Sequence, residues 1–208
     1  MKITAISDTH GKHKQLKLNS GDLLIHAGDI SSFGNKEEVN CFLVWFSNQN
    51  FKHKIFISGN HDFCFENQFQ DIIIPDSITY LNDSGVEIEG LHIWGSPITP
   101  TFCNLAFNRS RGEEIDFHWN KIPINTNILI THGPPFGILD ETETYFKAGC
   151  KNLLEKINQL NLKYHIFGHI HEAFGVVKKD NVTYINASSV DLKYKIRNLP
   201  YYDFEINL

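Results

Sequence analysis

Five short segments of this 208-residue chain carry the side chains that could do chemistry: Asp8-Thr9-His10, Gly28-Asp29, Gly59-Asn60-His61-Asp62, Thr131-His132-Gly133 and Gly168-His169-Ile170-His171. Asp8 and His10 stand two apart, as do His169 and His171, and in extended backbone an i, i+2 pair points to one side. Each pair is therefore expected to reach a common centre. Adding Asp29, Asn60 and His132 gives seven candidate metal ligands: Asp8, His10, Asp29, Asn60, His132, His169 and His171. Seven exceeds the four positions of one zinc and suits two metals that share a bridging carboxylate. Imidazole mixed with carboxylate oxygen, without thiolate, favours Mn, Fe, Zn or Co over an all-oxygen Mg or Ca site. Two such divalent ions with two carboxylates and a hydroxide leave about +1 by formal counting, a centre that attracts phosphate.

The elements that must position these residues are short β-rich runs, each ending at one of the five segments: Ile3 to Ile6, Leu23 to Ile25, Ile55 to Ile57, Ile128 to Ile130 and Tyr164 to Phe167. Their continuous apolar character suits strands buried on both faces. Open α/β sheets bind ligands beyond the carboxyl ends of their strands, so the five segments are expected to converge there. Glycines 28, 59, 133 and 168 stand where close backbone approach is best tolerated. Helices are expected over Glu37 to Gln49, striped by Val39, Phe42, Leu43 and Phe46, and over Cys150 to Leu160, striped by Leu153, Leu154, Ile157 and Leu160. Strands alternating with helices predict a layered α/β fold. Thr79 to Trp94 and Gly175 to Ile185 read instead as hairpins turning at Glu89-Gly90 and at Lys179-Asp180-Asn181, which adds an antiparallel region. Ser96 to Asn108 reads as a long surface loop. No repeat, linker or low-complexity tract divides the chain, so residues 1–208 are expected to form one domain.

Composition narrows the function. Nineteen Lys and Arg against 24 Asp and Glu give a net charge of −5, and no net basic charge draws the chain onto nucleic acid or anionic lipid. Four scattered cysteines without a C-x-x-C pair are expected to be free thiols. No apolar run reaches the length of a membrane span, and the apolar stretch at the start is too short for a signal peptide, so a cytoplasmic location is expected. Eleven histidines is about twice ordinary usage. Of those outside the five segments, His26 and His165 lie within strand runs and are expected in the core, hydrogen-bonded. His13, His53, His92 and His118 are expected at the surface.

In this order and spacing the five motifs resemble the calcineurin-like metallophosphoesterase superfamily. Trp94-Gly95-Ser96-Pro97, Phe107-Asn108 with Arg111-Gly112, His132-Gly133-Pro134-Pro135 and Asn186-Ala187-Ser188 are similar to its metallophosphodomain-containing phosphodiesterase branch. The resemblance implies an α/β layered sandwich of two mixed β-sheets flanked by helices, with a dinuclear site. It implies that Asp8, His10, Asp29 and His171 hold one divalent metal ion and Asp29, Asn60, His132 and His169 the other; the donor set leaves Mn, Fe, Zn and Co open, with Mn expected in assay. Asp29 suits the bridge because a carboxylate offers an oxygen to each metal, and two metals activate a water between them for in-line attack on phosphorus. The leaving alkoxide needs a proton. His61, beside Asn60 and not itself needed as a ligand, is the expected general acid, a role the resemblance supports, and Asp62 is expected to orient its imidazole. Arg109 and Arg111 are weaker candidates for gripping a substrate phosphate.

The expected function is hydrolysis of a small phosphodiester, nucleotide-like and cyclic nucleotides among the candidates. A phosphomonoesterase or protein phosphatase is the first alternative. Phosphatases of the superfamily carry an arginine shortly after Gly-Asp to hold a phosphate dianion, whereas Asp29 is followed by Ile30-Ser31-Ser32-Phe33-Gly34. Repair nucleases of the superfamily add a DNA-capping domain for which 208 residues leave no room. A non-catalytic nucleotide-binding scaffold is opposed by the intact Gly168-His169-Ile170-His171.

Overall fold

The computed structural model describes residues 1–207. Two mixed sheets face each other. The first orders its strands β13-β1-β2-β3-β4, with β1 Lys2–Ile6, β2 Gly21–Ala27, β3 Phe51–Ile57 and β4 Thr79–Tyr80 parallel and β13 Tyr202–Glu205 antiparallel on the edge. The second runs β11-β12-β10-β9-β6-β5, in which β6 Leu91–Ser96, β9 Ile128–Thr131, β10 Tyr164–Phe167 and β12 Val182–Asn186 are parallel. Its antiparallel edges are β5 Ser84–Ile88 and β11 Gly175–Lys179. The two expected hairpins are thus the outer pairs of the second sheet. Both turn through adjacent left-handed residues, Glu89-Gly90 and Asp180-Asn181, the two-residue form that matches strand twist.

Side-chain alternation makes the layers. Ile3, Ala5, Leu23, Ile25, Ile55 and Ile57 from the first sheet meet Ile93, Ile128, Ile130, Ile166 and Ile185 from the second in one buried cluster. The opposite faces, with Leu24, Phe56, Leu129 and Phe167, pack under helices in the other. Helix α1, Lys36–Ser47, begins where Asn35 caps the Glu38 N–H at 2.9 Å and buries Val39, Phe42, Leu43 and Phe46 as expected. The short helices α2 Phe63–Asn67, α3 Glu113–Trp119 and α4 Lys151–Ile157 complete the flanks. The Ser96 to Asn108 segment is less irregular than expected, because β7 Thr99–Pro100 pairs with β8 Asn108–Arg109 at its end. Cys41, Cys64, Cys103 and Cys150 are all free thiols.

The core histidines behave as expected, with one correction. His26 Nε2 lies 3.0 Å from Thr9 Oγ1, and His165 Nε2 lies 2.8 Å from Thr131 Oγ1. His13, expected at the surface, is buried, because the turn at His13–Gln15 lays its ring on Phe42 and Trp45 of α1. His118 is half-buried, its Nδ1 2.5 Å from Asp83.

Burial holds these core rings neutral, pushing His26 and His165 down to about 3 and His13 to about 4. A histidine whose pKa falls on folding stabilises the native state above its unfolded value near 6.5 and loses that contribution as pH drops toward the folded value. With metals chelated, the protein is therefore expected to weaken from pH 6.5 downward, by up to about 1.4 kcal/mol per pH unit for each histidine. Urea midpoints at pH 7 and pH 5 check this, and His165→Gln should shrink the difference between them. Equal midpoints at the two pH values would contradict it.

Candidate active site

The loops that leave β1, β2, β3, β9 and β10 all emerge at one end of the sandwich, and they bring the seven predicted ligands together. His10 Nε2 lies 3.3 Å from His171 Nε2 and 3.6 Å from Asp29 Oδ2, and His171 Nε2 lies 3.4 Å from Asp8 Oδ1. On the other side His132 Nε2 is 3.3 Å from the same Asp29 oxygen and 2.7 Å from Asn60 Oδ1, with the His169 ring 5.0 Å from the His132 ring. Asp29 Oδ2 thus stands between two sets of imidazoles.

The expectation that the i, i+2 pairs are extended is corrected. Asp8, His10 and His169 all have positive φ, at 52°, 41° and 68°, as does Asp29 at 55°. Asp8 and His10 still converge, together with His171, because the loop twists at its ligands, whereas His169 turns to His132, so the His169–His171 pair divides between the two sides of Asp29. The β1 and β2 loops run together through Asp8 N–H to Gly28 O and His10 N–H to Asp29 O. Positive φ costs a residue with a β-carbon about 1–2 kcal/mol, which the surrounding bonds offset.

The donor spacing fits metal ions. Most of these separations, 3.3–3.6 Å, are long for hydrogen bonds. They match the edge, about 3.4 Å, of a tetrahedron of ligands about 2.1 Å from a centre. The imidazole orientation fits too: His132 Nδ1 donates to Ala27 O at 3.0 Å, which leaves Nε2 as the nitrogen aimed inward, where a metal ion would take the place of its proton.

Electrostatics agrees. Burial raises Asp29, but His132, His10 and His61 pull it the other way and hold its carboxyl well below the ordinary range. Asp8 is held low in the same way by His171, His132 and His10 against burial. Burial lowers His132, yet the charge and hydrogen bond of Asp29 lift it to about 9. His10 and His169, each buried beside other imidazoles, fall to about 4. The site is a hollow in which two carboxylates are balanced by protonated imidazoles, ready to exchange those protons for cations.

Other predicted residues sit differently. His61 is half-buried at the rim, its N–H on Asp29 Oδ1 at 2.9 Å and its ring edge-on to His10 at 4.9 Å. Its Nδ1 faces Ser32 O at 3.1 Å, so Ser32 orients the ring and Asp62 does not, contrary to expectation. The Asp62 carboxylate accepts bonds from Ile30 N, Ser31 N, Ser31 Oγ and Gly59 N at 2.5–3.2 Å, tying the Asp29 loop to the Asn60 loop. Burial and the Asp29 charge push Asp62 up to about 6. Arg109 and Arg111 do not reach the cluster. Arg109 pairs with Glu66 at 3.3 Å, and Arg111 donates to the carbonyls of Ala148 and Gly149 at 2.9 Å.

Sequence reasoning missed several residues of the site. Ser188 Oγ donates to Asp8 Oδ2 at 2.9 Å, and Arg197 donates to the His171 carbonyl at 2.5 Å. Asn186-Ala187-Ser188 was visible as a family phrase without a role. A cleft of about 210 Å³ above the cluster is lined by Phe102, Leu105, Glu172, Leu192 and Tyr194 together with His10, Asp29, Asn60, His61, His169 and His171.

The comparisons with known proteins agree with this geometry. Residues 1–173 match the model of the calcineurin-like phosphoesterases. Human metallophosphoesterase domain-containing protein 1 is 36% identical over 225 residues, covering 96% of this chain and 69% of its own. A Caenorhabditis elegans UPF0046 protein is also 36% identical, covering 96% of this chain and 73% of its own. The solved structure of phosphopantetheinyl hydrolase from Mycobacterium tuberculosis shares the fold at TM-score 0.60 and 15% identity, over 93% of this chain and 90% of its own. Fold and site together define a metal-dependent phosphoesterase. The chain belongs to the calcineurin-like phosphoesterase family. Among the described residues, no helix is long and apolar enough to cross a membrane.

Two glycines press on the carboxylates of the cluster. A β-carbon at Gly168 would lie 1.9 Å from Asp8 Oδ2, and one at Gly59 would lie 2.2 Å from Asp29 Oδ1. At Gly133, by contrast, the nearest atom would be at an ordinary 3.5 Å. Gly59→Ala and Gly168→Ala are therefore expected to weaken metal binding at least 10–100-fold, the range seen when groups supporting a ligand are disturbed, while Gly133→Ala keeps it. Calorimetric titration of the three chelator-treated variants with Mn²⁺ checks this; equal affinities would contradict it.

Proposed function

We propose that the protein hydrolyses a small, nucleotide-like phosphodiester, with two divalent metal ions shared through Asp29 and with His61 as general acid. Asp8, His10 and His171 would hold one ion and Asn60, His132 and His169 the other. Such ions supply Lewis acidity and an activated water when bound. The chain's own groups do the rest. Asp62 and Ser188 hold Asp29's loop and Asp8 in place. With His61 Nδ1 donating to the Ser32 carbonyl, Nε2 is the other nitrogen, which in the imidazolium form would give its proton to the leaving oxygen and leave the neutral ring.

The observation that carries the diester reading is the charge of the cleft. Among the described residues no lysine or arginine lines it, and its wall includes Glu172. A phosphomonoester dianion asks for a cation beyond the metals, whereas a diester carries a single negative charge and a second organic group. Phe102, Leu105, Leu192 and Tyr194 offer that group an apolar wall.

Hydrolysis of bis(p-nitrophenyl) phosphate, p-nitrophenyl phosphate and a cyclic nucleotide, whose leaving group is a ribose alkoxide, with Mn²⁺, by the wild type and by His169→Ala and His61→Ala, tests the reading. The diester should be the better substrate, and His169→Ala should abolish turnover. His61→Ala should retain its metal and lose about 10²–10⁴-fold on diesters with alkoxide leaving groups, but much less with nitrophenolate, which needs little protonation. A preference for the monoester would move the function to a phosphatase, and equal losses with both leaving groups would remove His61 from the acid role.

A further inference from the structure

The segment after β12 makes a tight corner directly above the cluster. Between Val190 and Ile196, which bridge antiparallel, the chain passes through Tyr194 at φ 56°, a conformation that a side chain with a β-carbon rarely adopts. The corner is held from several directions. Asp191 Oδ1 accepts the N–H groups of Lys193 at 2.8 Å and Lys195 at 2.9 Å, and Asp191 O accepts that of Tyr194 at 2.9 Å. The Lys12 ammonium bonds the Tyr194 carbonyl. Arg197, stacked over the Phe174 ring at 4.7 Å, ties the end of the corner to the carbonyls of Ser188 and His171.

All this restraint places one aromatic ring. Tyr194 lies edge-on to His10 at 4.9 Å and to His171 at 5.4 Å, yet stays 42% exposed, open to the cleft. Backbone strain that the surroundings over-determine, at a site that also presents an exposed aromatic, points to a role in binding rather than in packing. Phe102, 66% exposed, and Leu192 extend the same apolar wall. His61 flanks the His10 ring as well, at 4.9 Å. With the leaving oxygen assigned to His61, the ester group left for Tyr194 is the retained one.

We propose that Tyr194 is a specificity residue, the platform on which a planar ring of the retained ester group stacks, so that the site prefers aryl or nucleoside phosphodiesters over simple alkyl ones. The inference rests on the diesterase reading above. Aromatic stacking does not depend on the phenol hydroxyl, so phenylalanine should substitute for tyrosine.

Bis(p-nitrophenyl) phosphate and methyl p-nitrophenyl phosphate expel the same leaving group and differ only in the retained ester. With Mn²⁺ the wild type should show the lower KM for the aryl diester. Tyr194→Ala should raise that KM about tenfold, in the range of a lost stacking contact, and change the methyl ester's KM much less. Tyr194→Phe should keep the wild-type ratio of the two, and metal content should be the same in all three proteins. Equal losses on both substrates, or metal lost from Tyr194→Ala, would overturn the inference by showing that the ring props the cluster rather than the substrate. A wild type that turns over neither diester would fail earlier, at the diesterase reading, and would take the inference with it.

Discussion

The buried carboxylate of Asp29, between imidazoles contributed by both sheets, is the interaction on which this structure turns. His10 comes from the loop after β1 in the first sheet and His132 from the loop after β9 in the second, and both direct Nε2 at the same oxygen. An unpaired carboxylate so deep would be strongly disfavoured. Its charge is balanced here by basic nitrogens, and a metal pair would balance it further. Facing sheets with parallel centres satisfy this demand, because they deliver the C-terminal ends of five strands to one edge.

The local structure around the cluster shows what that convergence costs. Four residues of the set take left-handed backbone conformations, and two glycines are pressed so close to Asp8 and Asp29 that no side chain fits. Bonds from outside the ligand set hold these arrangements. Asp62 gathers donors from two loops, Ser188 reaches Asp8 from the end of β12, and Arg197 fixes the backbone of His171. Asp62 does more here than orient one imidazole, since it joins the loop that carries Asp29 to the loop that carries Asn60.

Much of this was legible in the sequence because it is written in local patterns. The five site strands are continuous apolar runs that end in Gly, Asp, His or Asn, and α1 announces itself by a four-residue stripe. The Asn35 cap of α1 is a finding of the structure and was not read from the sequence, and what else was not legible depends on distant partners. The edge strand β13 is short and mixed in character and becomes a strand only by pairing with β1. Helix α3 has only Ile115 and Trp119 to bury, too weak a stripe to read. His13 looks like a surface residue until α1 is laid against it. Arg109 and Arg111 were plausible anion ligands by type alone, and only the fold shows that one is paired with Glu66 and the other bonded to backbone carbonyls. The i, i+2 spacing found Asp8 with His10, but through an extended backbone that the loop does not adopt, and it grouped His169 with His171, which the structure divides between the two sides of Asp29.

The most direct test of the account is the number of metal ions bound per chain in the wild type and in Asp29→Ala, measured by elemental analysis after loading with Mn²⁺ and removing excess ion. A carboxylate shared by two sites predicts two ions in the wild type and loss of both on the single substitution. One ion in the wild type, or a variant that loses one and keeps the other at full affinity, would contradict the shared centre.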